Sequence, residues 1–398
     1  MVGVNCKEMC CGCSACKAIC PLNCVEMVMD EEGFLYPNID KEKCINCGLC
    51  EKVCPILNLP PKSECQQVGY TVQHINNKIV QESTSGGAFT AIAEYVISKG
   101  GYVFGACLDF DMNVKHIGIS SVSEVCLFRN SKYVQSKIDS KIYIEVKELL
   151  NRGIIVCFSG TPCQIAAIKG YLQKDYDNLI TVDIVCRAVP SPMIFKKYLE
   201  YQEGRMNAHI KSVRFRDKKY GYNFSTLRIV TESEKKYNYG IESDPWLRAF
   251  FSNICSRPSC HDCKFRNMHR DSDITLWDCF QVSTYAPELG DGGATNLLIH
   301  TVKGKVVFEA IKTNIRFVKR DLEELVNGTA EFLKSIPKAS NRTEFFLDAN
   351  IMDGNQLFGK YFPFDWKAKF RFYMRFILVK LNMYTRLKRV IKRIVKVE

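Results

Sequence analysis

The chain has 398 residues, 46% of them hydrophobic and 25% charged, enough to bury at least one full core and to fill two or three domains. Its formal charge of +12 points to nucleic acid only until it is located, because residues 360–398 hold twelve Lys/Arg against two acids and the rest of the chain is close to neutral. That excludes a nucleic-acid-binding body, and no apolar run reaches the roughly 18 to 20 residues of a spanning helix, since Glu94 and Lys99 interrupt the best stretch, Gly87 to Leu108.

Twenty-one cysteines mean either an extracellular disulfide framework or thiolates kept reduced for metal. Met1 to Asn5 show neither a basic start nor an apolar run, and cysteines begin at Cys6, so no secretory signal is read. A cytoplasmic protein is expected, at most peripheral to the inner face of the membrane, with its thiolates available as ligands.

Residues 1–60 form the cysteine-dense head. Cys10, Cys13, Cys16, Cys20 and Pro21 follow C-x2-C-x2-C-x3-C-P, and Cys44, Cys47, Cys50, Cys54 and Pro55 repeat it. Three closely spaced thiolates wrap one 4Fe-4S cluster while the fourth reaches the cluster of the other run, as in bacterial ferredoxins. One cluster is assigned to Cys10, Cys13, Cys16 and Cys54, the other to Cys44, Cys47, Cys50 and Cys20. A pair of four-cysteine zinc sites is the alternative, but zinc has no use for the C-x3-C-P ending. Cys6, Cys11 and Cys24 fall outside the spacing and read as bystanders, and Gly33 to Pro37 reads as a hairpin shielding the clusters from water.

Beyond a linker, Leu57 to Gln67, with Pro60-Pro61, β-rich runs alternate with helical patterns. Strands are predicted at Val68–His74, Tyr102–Cys107, Ile154–Phe158 and Leu179–Val185, and helices at Ala88–Ser98, Lys141–Asn151, Cys163–Leu172 and Met193–Tyr201. The alternation predicts a mixed α/β body with a partly parallel sheet, and antiparallel strands from Ile210 to Val230 make the whole chain α+β. Ser85-Gly86-Gly87 opens the first helix, where backbone N–H groups can meet a phosphate; a plain glycine turn is the bland reading. Cys163 and Cys186 each follow a strand, so both belong at the carboxyl edge of the sheet, and Cys260 and Cys263 complete a four-thiolate set; ordinary buried cysteines are the alternative.

Several stretches in order carry a family likeness. They are Ser85-Gly86-Gly87-Ala88-Phe89-Thr90, Ser131-Lys132-Tyr133-Val134-Gln135-Ser136, Phe158-Ser159-Gly160-Thr161-Pro162-Cys163-Gln164, Val182-Asp183-Ile184-Val185-Cys186, Arg257-Pro258-Ser259-Cys260 and Ser272-Asp273-Ile274-Thr275. Residues 68 to about 315 resemble the beta-subunit family of coenzyme F420 hydrogenases and dehydrogenases, with an N-terminal module at 68–150 and a C-terminal module at 151–330. The resemblance implies a third 4Fe-4S cluster on Cys163, Cys186, Cys260 and Cys263. It also implies a flavin, usually FAD, near Ser85, Gly86, Gly87, Thr90, Lys132 and Tyr133. With its ferredoxin fusion the chain is similar to bacterial members often encoded near polysaccharide genes. Two departures stand in the pattern: Arg187-Ala188 replaces a His-Gly pair, and Trp277 replaces a glycine. Cys255 and Cys279 rank as second-choice ligands.

From Phe370 the basic tail, residues 360–398, sets Phe370, Tyr373, Ile377, Leu381, Tyr384, Leu387, Ile391 and Ile394 at helical spacing. Arg371, Arg375, Arg386, Arg389 and Arg393 fall largely on the other side. The pattern suits a helix lying on anionic lipid or one docked on the protein's own core. The expected protein is an iron-sulfur flavoprotein oxidoreductase taking electrons from a low-potential donor, such as a ferredoxin or a reduced flavin or deazaflavin, to a small-molecule or glycan-related substrate. The alternative is a non-catalytic electron-transfer subunit that docks to a separate enzyme.

Overall fold

The computed structural model describes residues 6–59, 66–381 and 383. In the head, the cysteine repeat is also a repeat of backbone. Gly12 and Ser14 in the first run, and the equivalent Asn46 and Gly48 in the second, all take left-handed φ of 56° to 72°. Such residues curl the chain into a tight loop that turns its N–H groups inward, and glycine and asparagine adopt the conformation most readily. Each loop runs into a short helix, Ala15–Ile19 and Leu49–Lys52. Between them strands β1 (Val25–Met29) and β2 (Leu35–Ile39) pair antiparallel, with Val25 opposite Ile39.

The hairpin packs Val25, Met27 and Ile39 against the head cysteines, and its turn also reaches into the body. Phe34 is fully buried in the largest core of the body with Trp246 and Phe346, its ring 6.5 Å from that of Phe346. An aromatic side chain gains more from a deep apolar socket than from a place over a small loop. Gly33 makes the insertion possible, because a Cβ there would lie 2.3 Å from the Cβ of Met193.

The body is built on one eight-stranded mixed sheet. Its strands are β3 (Val68–His74), β4 (Tyr102–Leu108), β5 (Val114–Ile119), β6 (Val156–Gly160) and β7 (Leu179–Ile184), followed after an insertion by three more. The insertion contributes β8 (Ile210–Asp217), β9 (Thr226–Thr231) and β10 (Lys236–Tyr239), an antiparallel sheet of its own, as the pattern after Ile210 predicts. The chain then returns with β11 (Ile274–Asp278), β12 (Thr295–Ile299) and β13 (Ile315–Arg320). The order is β13-β3-β12-β11-β7-β6-β4-β5, with β11, β7, β6 and β4 parallel and the flanking pairs antiparallel. Strands from 68–150 and from 151–330 thus share one sheet.

Near-continuous buried runs in β7 and β12 follow from helices covering both faces of the sheet centre. The parallel strands are joined by helices, Ser140–Asn151 leading into β6 and Pro162–Leu172 leaving it, so β6 and β7 end on the same edge. Two of the family-like stretches staple the centre together. Thr181 donates from its backbone N–H and its hydroxyl to Asp273, at 2.7 and 2.8 Å, and Thr275 donates to Asp183, which also meets Arg270 at 3.7 Å. Asp183 and Asp273 therefore join β7 to β11 beneath the sheet edge.

The tail helix, Trp366–Lys380, starts at Asp365, whose carboxylate accepts from the Ala368 N–H at 2.8 Å. One face docks on the antiparallel insertion. Phe372 is buried, 4.7 Å from the ring of Tyr239 and 5.5 Å from that of Phe224, and Phe376 lies 5.3 Å from Tyr220. Arg375 pairs with Glu242 at 2.6 Å, and Arg371 donates to the Glu242 carbonyl at 3.1 Å. These two arginines are therefore not part of a free basic face. The expected apolar stripe, Phe370, Tyr373, Ile377 and Leu381, is exposed instead; its continuation from Tyr384 and Arg386 lies outside the described residues. Among the described residues no helix is long and apolar enough to cross a membrane.

Candidate functional site

The head's cysteines from the two runs pack together. Cys20, from the first run, lines one small cavity with Cys44, Cys47 and Cys50 of the second. Cys24 lines it too, with its sulfur 3.2 Å from that of Cys20. Cys10, Cys20, Cys50 and Cys54 pack with Met27 and Ile39 around Cys16 and Val25. Burial pushes the Cys16 thiol up to about 12 and raises that of Cys10. Metal binding by such thiols releases their protons.

A larger cavity, about 280 Å³, opens at the edge of the sheet. Cys163 sits in the first turn of the helix that follows β6, after Thr161 and Pro162. Gln164 accepts from the Thr161 N–H at 2.9 Å and fixes that turn, and the Thr161 hydroxyl lies 3.1 Å from the Cys163 sulfur. Cys186 follows β7, and Cys260 and Cys263 come from the loop after residue 257. All four line the cavity. Burial raises the thiols of Cys186 and Cys263, and that of Cys260 to about 12.

Among the described residues no group of three His, Cys, Asp or Glu side chains is placed to hold a single ion, and the four cysteines share the lining of one cavity. Arginines at 257, 266 and 270 line the same cavity and complement anionic thiolates. Cys255 and Cys279 are not in this set: Cys255 is wholly buried in the largest apolar core, and Cys279 lies in another with Val282 and Leu289.

Cys11 is the residue that sequence spacing misses. It lines the large cavity together with Cys163. The contact with Cys11, ahead of burial, raises the Cys163 thiol well above its ordinary value. Nothing in the local sequence distinguishes Cys11, because its partner comes from a distant helix. Cys6, by contrast, is exposed and donates to Glu8 at 2.9 Å.

The two departures are accommodated without filling the cavity. Arg187 turns to Glu331 at 2.7 Å, Asn253 at 2.8 Å and the Phe251 carbonyl at 3.2 Å, while Ala188 lines the wall. Trp277 packs 5.4 Å from Phe332 in a small core with Leu298 and Leu325. It fills a space under the sheet rather than the space among the cysteines.

The expected flavin residues are held by partners within the fold. Ser85 bonds Thr295 through its hydroxyl at 2.7 Å, and its carbonyl accepts from Lys218 at 2.6 Å. Tyr133 stacks 4.7 Å from Phe250 and accepts from Arg216 at 3.3 Å. Lys132 donates to the carbonyls of Leu127 and Arg129, and burial lowers both Lys132 and Lys218 to about 7. Thr90 is buried beside Arg129. The Gly86 N–H, however, donates to Thr295 at 2.8 Å, and a Cβ on Gly86 would meet the Val72 carbonyl at 2.4 Å. That glycine serves close packing against the sheet, and the left-handed Gly87, φ 83°, turns the chain into the helix Ala88–Ser98.

Comparison with known proteins gives two family matches. Residues 9–57 match the family described as 4Fe-4S dicluster domain, and residues 155–324 match the family that comprises the C terminus of the beta subunit in coenzyme F420 hydrogenase/dehydrogenase. No curated protein matches. Thirteen chains of solved structures do, among them one from the F420-reducing [NiFe] hydrogenase complex of Methanosarcina barkeri. It is 16% identical, with a TM-score of 0.45, and the match covers 77% of this chain and 94% of that one. The chain is thus an iron-sulfur protein in which a 4Fe-4S dicluster domain precedes a domain of the family formed by the C-terminal part of coenzyme F420 hydrogenase/dehydrogenase beta subunits.

Proposed function

We propose that this protein is an iron-sulfur flavoprotein oxidoreductase in which two head clusters and a third cluster on Cys163, Cys186, Cys260 and Cys263 carry electrons from a low-potential donor to a flavin. The carrying observation is that these four cysteines, drawn from three separate segments, line one cavity against the head loop. When bound, such clusters exchange single electrons and a flavin converts them to pairs. The chain's own contribution is to hold the thiolates at the sheet edge, exclude water with the buried loop around residue 257, and set arginines beside them. The flavin is assigned to the polar group around Ser85, Lys132 and Tyr133, and the substrate, on the resemblance to fused bacterial members, to glycan-related chemistry.

Three four-iron clusters require about 12 irons per chain and the head alone about 8. Anaerobic reconstitution with iron, sulfide and flavin analysis tests the reading. Iron near 8 removes the third cluster. One observation favours the second reading, an electron-transfer subunit without flavin: the Gly86 N–H and the Lys218 ammonium are already engaged within the fold. Absence of flavin from fully iron-loaded protein decides for it. For the tail, the exposed stripe from Phe370 to Leu381 beside basic residues supports contact with an anionic membrane surface.

A further inference from the structure

The residue that joins the head to the large cavity is Arg257. It is wholly buried, yet its guanidinium meets three neutral acceptors: the Cys10 carbonyl at 2.8 Å, the Gln135 side-chain oxygen at 3.0 Å and the Leu35 carbonyl at 3.0 Å. Among the described residues no carboxylate pairs with it, whereas Arg270, in the same cavity, has Asp183. The ring of Tyr36 lies 4.3 Å from it. Gly12 has no side chain for the same reason: a Cβ there would stand 2.6 Å from the guanidinium. Arg257 is also three residues before Cys260 and lines the cavity with Cys163, Cys186 and Cys263.

A buried cation without a counter-charge is costly, and removal from water makes its field strong. The missing negative charge has two sources, one on each side. The loop of Cys10 and Cys13 holds one cluster site, and the cavity holds the other. Reduction adds one negative charge to a thiolate-held cluster, and net charge and hydrogen bonding set its potential. A cation shared by both sites favours both reduced forms.

We propose that Arg257 is the electrostatic link between the head and the body: a positioning residue whose buried charge raises the reduction potential of the head cluster held by Cys10, Cys13, Cys16 and Cys54 and of the third cluster, while its three hydrogen bonds keep the two sites in register. The proposal rests on the third-cluster reading for its second half. The remote head site, lined by Cys20, Cys44, Cys47 and Cys50, has no contact with this guanidinium and serves as the internal control.

The test is an anaerobic dithionite titration of the full reconstituted chain, followed by electron paramagnetic resonance, in wild type, Arg257→Gln and Arg257→Lys. Parallel titrations of Cys260→Ser and Cys47→Ser assign the signals. With iron content retained, Arg257→Gln should move both neighbouring midpoints negative by at least a tenfold change in the reduction equilibrium, about 59 mV for one electron. The remote cluster should stay in place, and Arg257→Lys should restore most of the shift. Unmoved midpoints, equal movement of all three clusters, or a Lys variant displaced as far as the Gln variant would overturn the proposal. If Arg257→Gln loses iron, the Lys variant decides: midpoints kept with the charge support the link, and a tenfold displacement rejects it. Wild-type iron near 8 would instead remove the third cluster, leaving the head-cluster shift to be read alone.

Discussion

Cys11 and Cys163 line the same cavity, although one belongs to the head and the other to the helix after β6. Cys11 stands between Cys10 and Cys13, so on the proposed relay this shared wall offers a route between the head and the third site. Cys11→Ala should therefore leave iron content near that of wild type, leave the head reducing rapidly, and slow the passage of electrons to the body severalfold. Anaerobic rapid mixing with a low-potential donor follows both steps by colour. An unchanged second step would mean that electrons cross elsewhere.

Loss of the third set should be more severe. Cys260→Ser should lower iron from about 12 to about 8 per chain, since one four-iron cluster is lost. In the same variant the head should still reduce, while flavin reduction by the same donor fails. A flavin that still reduces at the wild-type rate in protein shown to lack the third cluster would end the relay.

His116 makes stability depend on pH. It is buried, bonds the Ser136 hydroxyl at 2.7 Å and the Ser159 carbonyl at 3.0 Å, and burial lowers it from 6.5 to about 4. A histidine depressed in the folded state contributes stability above its unfolded value and loses it as the pH falls toward the folded one. At pH 5 the loss is on the order of 2 kcal/mol. Denaturant midpoints of the loaded protein under anaerobic conditions should show wild type losing its advantage over His116→Gln between pH 7 and 5. A constant gap between the two proteins would contradict the assignment.

Phe372 holds the tail helix to the body. Phe372→Ala removes a buried ring from among Phe224 and Tyr239, which costs about 3 kcal/mol for a well-packed aromatic. The cost falls on the helix, so limited proteolysis should cut between residues 366 and 380 much faster while the rest resists.

The exposed stripe makes a separate prediction. Full-length protein should co-sediment with anionic vesicles at low salt and less at high salt, and deletion of residues 370–398 should abolish binding. Equal sedimentation of the truncated chain would reject a membrane role for the tail.

What the sequence by itself determined is whatever short spacing and period express. The two C-x2-C-x2-C-x3-C-P runs specify their loops because three thiolates and left-handed Gly12, Asn46 and Gly48 lie within a few residues of one another. Strands such as Val68–His74 and helices such as Ala88–Ser98 were legible from period alone, since burial on a sheet or a helix face repeats locally. Even the placing of Cys163 and Cys186 at one sheet edge follows from strand-helix order. Only the tertiary structure decided what long-range docking controls. Phe34 reads as part of a local cover and is a peg in the core; Cys11 reads as a bystander and lines the cavity of Cys163; Arg371 and Arg375 read as a free basic face and hold Glu242. In each case the partner comes from a remote segment, and the energy of the contact depends on burial that no neighbouring residue encodes.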